Sequence, residues 1–240
     1  MLRLFYTKMT NIINDINYIL MPTVCFGCNT HLTRGEQHIC TVCRNQLPLT
    51  DYNFNVENAI DRIFYGRIII EKASSFLFFT ENGIVQQIIH QLKYKKQEQI
   101  GAFLGDWYGQ ILKENNYLSK IDIVMPVPLH QKKLKKRGYN QVTIFAQKLT
   151  YHINAKYRDD ILIKTANTKT QTKKSRFKRL QNNKVLYALS DPSILKNKNI
   201  LLVDDVITSG ATMEACAEAI QKAEGVKIYI TSIAVVPQFQ

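Results

Sequence analysis

Apolar residues follow two rhythms along this chain, a helical spacing near 3.6 and short unbroken runs, and the two take turns. Near the start, "NIINDINYIL" sets its isoleucines and Leu20 three or four apart, as a short amphipathic helix docked on a larger body would. "RIIIEKASSFLFF" is dense in β-branched and aromatic residues and predicts one or two strands. In "GIVQQIIHQLKYKK", Ile84, Val85, Ile88, Ile89 and Leu92 make one helical stripe, with Asn82 or Thr80 as its cap and His90 on the surface. "EQIGAFLGDWYGQILKEN" predicts a second helix with Phe103, Leu104, Trp107 and Ile111 facing inward, although its three glycines work against it.

Beyond residue 120, strand, loop and helix follow one another. "IDIVMPVP" is a strand stopped by prolines, and "YNQVTIFAQKLTYHI" is a helix. "DILIK" and "KVLYAL" are strands on either side of a long basic loop. "NILLVD" is an apolar strand, "ATMEACAEAIQKAEG" a helix ended by Gly225, and "VKIYITSIAVV" a last strand. This alternation predicts an α/β fold with a largely parallel sheet flanked by helices. Such sheets bind ligands beyond the carboxyl ends of their strands, here Pro126-Val127-Pro128 and Asp204-Asp205.

Composition changes the picture in two ways. The net charge is +13, and half of the 32 lysines and arginines fall in 123–158 and 161–190, which hold no Asp or Glu. A general lysine bias would not exclude acids as well, so a basic face for an anionic partner is expected. No stretch is apolar for long enough to span a bilayer, and the N-terminus lacks a signal peptide's apolar centre, which predicts a cytoplasmic protein.

The cysteines are the second change. Cys25-x-x-Cys28 and Cys40-x-x-Cys43 offer two pairs of thiolates from tight turns, eased by Gly27 and Gly35. Two such pairs suit one tetrahedral Zn²⁺ in a closed, structural site. Disulfides or two redox pairs are the competing reading, and a reducing compartment disfavours the first. So small a module cannot hold its own apolar core, so metal would supply its folding free energy. The organisation read from this is an amphipathic segment 1–20, a zinc-binding module 21–50 and an α/β domain 51–240. Cys216 stands apart on a helix with apolar neighbours and is read as a buried structural thiol.

The densest chemistry is "ILLVDDVITSGAT". A strand leaving the sheet at Val203 would project Asp204 and Asp205 at its edge. The loop after it turns into a helix whose first amides are unpaired and partly positive. Thr208, Ser209 and Thr212 add hydroxyls, and Gly210 permits close approach, which makes a monophosphate cradle. Carboxylates repel phosphate, so they must hold another part of the ligand. The vicinal hydroxyls of a ribose, or a Mg²⁺ bound to them, fit, and a ribose 5-phosphate satisfies both halves.

That stretch closely resembles the phosphoribosyl pyrophosphate (PRPP) signature of type I phosphoribosyltransferases. The resemblance implies that Asp204 and Asp205 contact the ribose hydroxyls, directly or through Mg²⁺. It implies that Val206, Ile207, Thr208, Ser209, Gly210, Ala211 and Thr212 wrap the 5-phosphate. "VPLHQKKLKKRGYNQ", "TKTQTKKSRFKRLQNN", "LKY" and the four cysteines together resemble the ComF family of competence-associated proteins, from about Met21 to Pro237. That family likeness implies a type I phosphoribosyltransferase-like domain joined to an N-terminal zinc ribbon, with a role in DNA uptake and natural transformation. Lys173 and Lys174 depart from the family pattern and add charge.

Within the basic segments, Arg137 with Asn140 and Gln141 is placed to meet either the pyrophosphate of PRPP or a nucleic-acid backbone. Lys132, Lys133, Lys135 and Lys136 offer adaptable point charges to the same anions, or form a solvated turn. Tyr139 is either a base-stacking ring or a packed aromatic at a helix start, and His130 is read as a surface residue. The second segment occupies the place of the mobile loop of phosphoribosyltransferases. Its Arg176 and Arg179 would close on the ligand, with Phe177 as an anchor. Two functions follow. One is PRPP binding together with single-stranded DNA and the proteins of the uptake machinery. The other is true transfer of phosphoribosyl to a nucleobase or amine, by displacement at ribose C1 with Mg²⁺ offsetting charge. No acceptor pocket or general base is legible.

Overall fold

The computed structural model describes residues 23–114, 118–165 and 186–237. At its centre, six strands make one parallel sheet. In chain order, α1 (Thr41–Asn45) and α2 (Ala59–Ile63) precede β1 (Lys72–Ala73) and β2 (Leu77–Phe78). Then come α3 (Ile84–Tyr94), α4 (Glu98–Lys113), β3 (Ile123–Pro126), α5 (Gln131–Arg137), α6 (Thr143–Ile153) and β4 (Lys156–Tyr157). They are followed by β5 (Leu162–Lys164), β6 (Tyr187–Leu189), β7 (Asn199–Ile207), α7 (Ala211–Ile220) and β8 (Lys227–Val235). The strand order is β1-β8-β7-β3-β4, with β2 also paired to β8. The "DILIK" and "KVLYAL" strands stand apart as the antiparallel pair β5–β6.

Because β3 and β7 are parallel neighbours, with Pro126 opposite Val203, their carboxyl ends open on the same edge. β7 runs on to Ile207, further than its apolar run suggested, because Val206 and Ile207 pair with Ala234 and Val235 of β8.

Each face of the sheet carries its own apolar core. On one side Leu201, Val203 and Ile233 pack with α3, α4 and α6. On the other, Ile200, Leu202 and Ile230 pack with α7 and α2. The expected stripe of α3 is observed, with Val85, Ile88, Ile89 and Leu92 buried. Its N-cap is Gly83 rather than Asn82 or Thr80, and Gln86 reaches back to the Asn82 N–H at 2.6 Å.

The inward face of α4 differs from expectation. Ile100, Leu104, Tyr108 and Leu112 are buried along with all three glycines, while Ile111 is exposed. The glycines explain the rotation. A Cβ on Gly105 would lie 2.8 Å from the Phe145 carbonyl oxygen, so α4 and α6 meet backbone against backbone. The helix turns its smallest residues to its nearest neighbour, which leaves Phe103 and Trp107 half-buried. α7 ends at Ile220, and Gly225 (φ +66°) serves the turn after it. No helix among the described residues is long and apolar enough to cross a membrane.

Candidate functional site

The four cysteines converge. Their sulfurs all lie within 4.8 Å of one another, and Cys28 Sγ is 3.8 Å from Cys40 Sγ. Tetrahedral ligands about 2.3 Å from a zinc ion stand roughly 3.8 Å apart, so the donor set fits such an ion. Backbone N–H groups already aim at the sulfurs, from Gly27 and Cys40 to Cys25 and from Cys43 to Cys40, as negative thiolates require. Cys25 and Cys43 are buried, and burial pushes both thiols up, so a cation is what would hold them deprotonated. Cys25, Phe26, Leu32, Ile39, Cys43 and Leu47 share the core of α3, α4 and α6. Gln91 of α3 donates to the Phe26 carbonyl at 3.0 Å, and the Arg44 guanidinium lies 4.9 Å from the Trp107 ring centre.

At the carboxyl edge the two adjacent acids behave differently. Asp205 is buried, and both its oxygens are taken: Lys93 Nζ lies 2.8 Å from Oδ1, and Gln141 Nε2 donates to Oδ2. Gln141 in turn accepts from the Arg137 guanidinium. The expectation that both acids project together is therefore corrected. Consecutive strand residues face opposite sides, and Asp205 looks toward α3 and the start of α6. Asp204 is half-buried on the other side, where it feels the Lys164 charge and its own charge reaches the neutral Cys216 thiol and the Tyr187 hydroxyl. Burial, then the Asp205 charge, pushes the Asp204 carboxyl up to about 7. Lys164 donates to the Tyr187 hydroxyl at 2.7 Å, and burial lowers its ammonium. Cys216 is fully buried, as expected of a structural thiol.

Past β7 the chain turns into α7. Thr208, Ser209 and Thr212 are exposed, and Gly210 takes the left-handed conformation (φ +74°) that turns the chain into α7. A Cβ on Gly210 would strike Ile63 at 2.8 Å and Phe64 at 2.9 Å. The connecting stretch around α2 thus buttresses the turn. Arg67 clasps it by donating to the Ser209 carbonyl at 2.7 Å and pairing with Glu214. Val206 and Ile207 are strand residues held in the sheet, and 208–210 make the turn that leads from them into α7.

The "HQKKLKKRG" stretch is a helix rather than a turn, and the structure shows why. His130 is its N-cap, accepting from the Lys132 N–H at 3.2 Å, and Gly138 closes it in the left-handed region. Lys132, Lys133, Lys135 and Lys136 are exposed on it. Asn140 is committed locally, donating to the Val127 carbonyl at 3.0 Å and accepting from the Val142 N–H. Tyr139 donates to the Leu92 carbonyl, so it is the packed aromatic of the two alternatives. Lys173, Lys174, Arg176, Arg179 and Phe177 lie outside the described residues, as does the segment 1–20.

Sequence reasoning gave no site role to Lys93, Arg67 or Lys164, although Lys93 lies in the "LKY" stretch of the family resemblance. Lys93 carried a signal, since it sits four residues past buried Ile89 on the apolar flank of α3. Arg67 carried none. A cavity of about 250 Å³ lined by Leu49, Tyr52, Ser75, Phe76, Tyr108 and Ile111 includes no residue of this edge.

Comparison with known proteins gives the family. Residues 90–236 match the phosphoribosyl transferase domain model, more than half of the chain, and the protein belongs to that family. Among curated proteins it is similar to competence protein ComFC of Bacillus subtilis strain 168, with 26% identity over 209 residues, covering 85% of this chain and 80% of that one. It is 25% identical over 210 residues to the DNA utilization protein YhgH of Escherichia coli K12, covering 83% and 91%. It is 29% identical over 214 residues to competence protein F of Haemophilus influenzae Rd, covering 88% and 83%. The ComF resemblance thus rests on relatives named for competence and for DNA utilization.

Proposed function

We propose that this protein binds PRPP at the carboxyl edge of β7 and handles single-stranded DNA on the basic face beside it. One observation supports the first half above all others. The Thr208–Thr212 turn leads into the amides of α7 while Asp204 stands half-buried on the strand feeding that turn. Amides and hydroxyls at the turn suit the 5-phosphate. Asp204 suits the ribose hydroxyls or a Mg²⁺ bound to them. Asp205, with both oxygens engaged, positions Lys93 and Gln141 rather than touching sugar. In the module, zinc fits the four thiolates best and has a structural role, since every ligand position is taken by sulfur.

The DNA half draws on the names of the relatives and on the exposed lysines of α5, which rise from the end of β3 next to this edge. Transfer of the phosphoribosyl group is the second reading, favoured by the intact cradle. In that case Mg²⁺ would supply charge neutralisation for departing pyrophosphate.

Calorimetry with PRPP and Mg²⁺ tests the proposal. Wild-type protein is expected to bind, and Asp204→Asn to bind at least about tenfold more weakly. Absence of heat with folded wild-type protein overturns the PRPP reading. Pyrophosphate release that depends on Asp204 and an added nucleobase would establish transfer. DNA affinity that falls linearly with the logarithm of salt concentration supports the nucleic-acid half.

A further inference from the structure

Among the described residues, an exposed aromatic lies beside the basic helix α5. Tyr94, the last residue of α3, is 65% exposed. The Arg137 guanidinium lies 5.5 Å from its ring centre, and the His90 ring is 5.0 Å away at a tilt of 44°. Lys95 and Lys96 follow it in sequence and are exposed. Lys135 and Lys136 are exposed on the turn of α5 that ends in Arg137. Most of the ring stays open to water while Arg137 and His90 fix its position beside exposed cations. Aromatic faces set in a basic groove are how proteins hold unpaired bases, because every base has a π-face while the phosphates seek the cations. A duplex keeps its bases stacked on each other and offers no such face.

We propose that Tyr94 is a stacking platform for an unpaired base, with Arg137 and His90 fixing its ring and Lys95, Lys96, Lys135 and Lys136 receiving the flanking phosphates. This rests on reading the protein as a single-strand binder and names where the strand lies. It also assigns to Tyr94 the role that packing denies to Tyr139. The strand would pass Arg137, whose guanidinium leads through Gln141 to Asp205, so it would run beside the sugar-phosphate edge.

The test is fluorescence anisotropy of the full chain with a labelled oligothymidylate and with a hairpin duplex, over a salt series. Y94A is expected to weaken single-strand binding roughly tenfold without changing the salt slope, because stacking releases no counterions. Y94F should bind like wild type, and duplex affinity should be unmoved by either variant. The ring is exposed, so unchanged melting is the folding control. If Y94A binds single strands as wild type does, while K135A/K136A lowers both affinity and slope, the platform is overturned and the DNA reading stands. If Y94A weakens single-strand and duplex binding equally, stacking is overturned. If the wild type binds neither at low salt, both readings fall together.

Discussion

The four-cysteine module and the carboxyl edge both gather polar and ionisable groups, but they draw them from the chain in opposite ways. All four sulfurs come from the short stretch Cys25–Cys43, and their spacing nearly specifies the site. At the edge, Gln141 and Asp205 are 64 positions apart, and Arg67 and Glu214 are 147 apart. A local site of this kind has no independent frame, so it should fail as a unit when one ligand is lost. The edge is carried by a sheet with apolar cores on both faces, so it should weaken contact by contact.

The largest effect expected is therefore at the cysteines. Cys40→Ser, or a strong chelator, should remove the bound metal. Loss of one ligand forfeits several kcal/mol of metal-coupled folding, which for a chain of this size lowers the melting temperature by about 10 °C. The disturbance should reach α3 and α4, because Phe26, Leu32 and Leu47 pack in their core. PRPP affinity in the folded fraction should stay within about threefold of wild type, since mutations far apart act independently. Metal analysis, calorimetry and a melting curve check all three. Loss of PRPP binding without loss of stability would erase the distinction between the two regions.

Next in size is the Lys93–Asp205 pair. Lys93→Met keeps the aliphatic length but strands a buried carboxylate, which costs about 3 kcal/mol. Lys93→Met with Asp205→Asn removes the orphan charge, so the double variant should recover most of that loss. Denaturant unfolding measures both. Recovery of stability without full recovery of PRPP affinity would show that Lys93 also acts on the ligand. Equal stability of the single variant and wild type would show that Asp205 is not held as the structure has it.

What the sequence disclosed follows the same division. The cysteine spacing, the apolar β7 and the Thr/Ser/Gly turn are runs of adjacent residues, so their chemistry could be read directly. The stripe of α3 was legible because burial there follows helical period. The face of α4 was not, because the choice between its large residues and its glycines depends on how close α6 comes. The two acids looked alike in sequence, and only the strand's alternation and Lys93 separate them. Arg67 lies in a stretch with no motif, and its role exists only because α2 packs under Gly210.

The smallest effect separates the two acids themselves. Asp204 is shifted upward from 3.8 to about 7, chiefly by burial, so the folded protein holds a proton there that the unfolded chain has already lost. That proton contributes stability fully below the ordinary carboxyl value, and the contribution is lost as pH rises through about 7. On the proposed reading, PRPP with Mg²⁺ needs the carboxylate and must expel the proton. Affinity should therefore rise from about pH 6 to a plateau above pH 7, by at most roughly tenfold per unit, while the ligand-free protein loses stability from about pH 4 to about pH 7 and levels off above it. The 5-phosphate also titrates near pH 6, so the comparison must include Asp204→Asn, which retains the ligand's titration and lacks the protein's. That variant should show a flatter affinity profile and lose the fall in stability. If its two profiles match those of the wild type, Asp204 does not carry the proton, and the assignment of the sugar to that side of β7 fails with it.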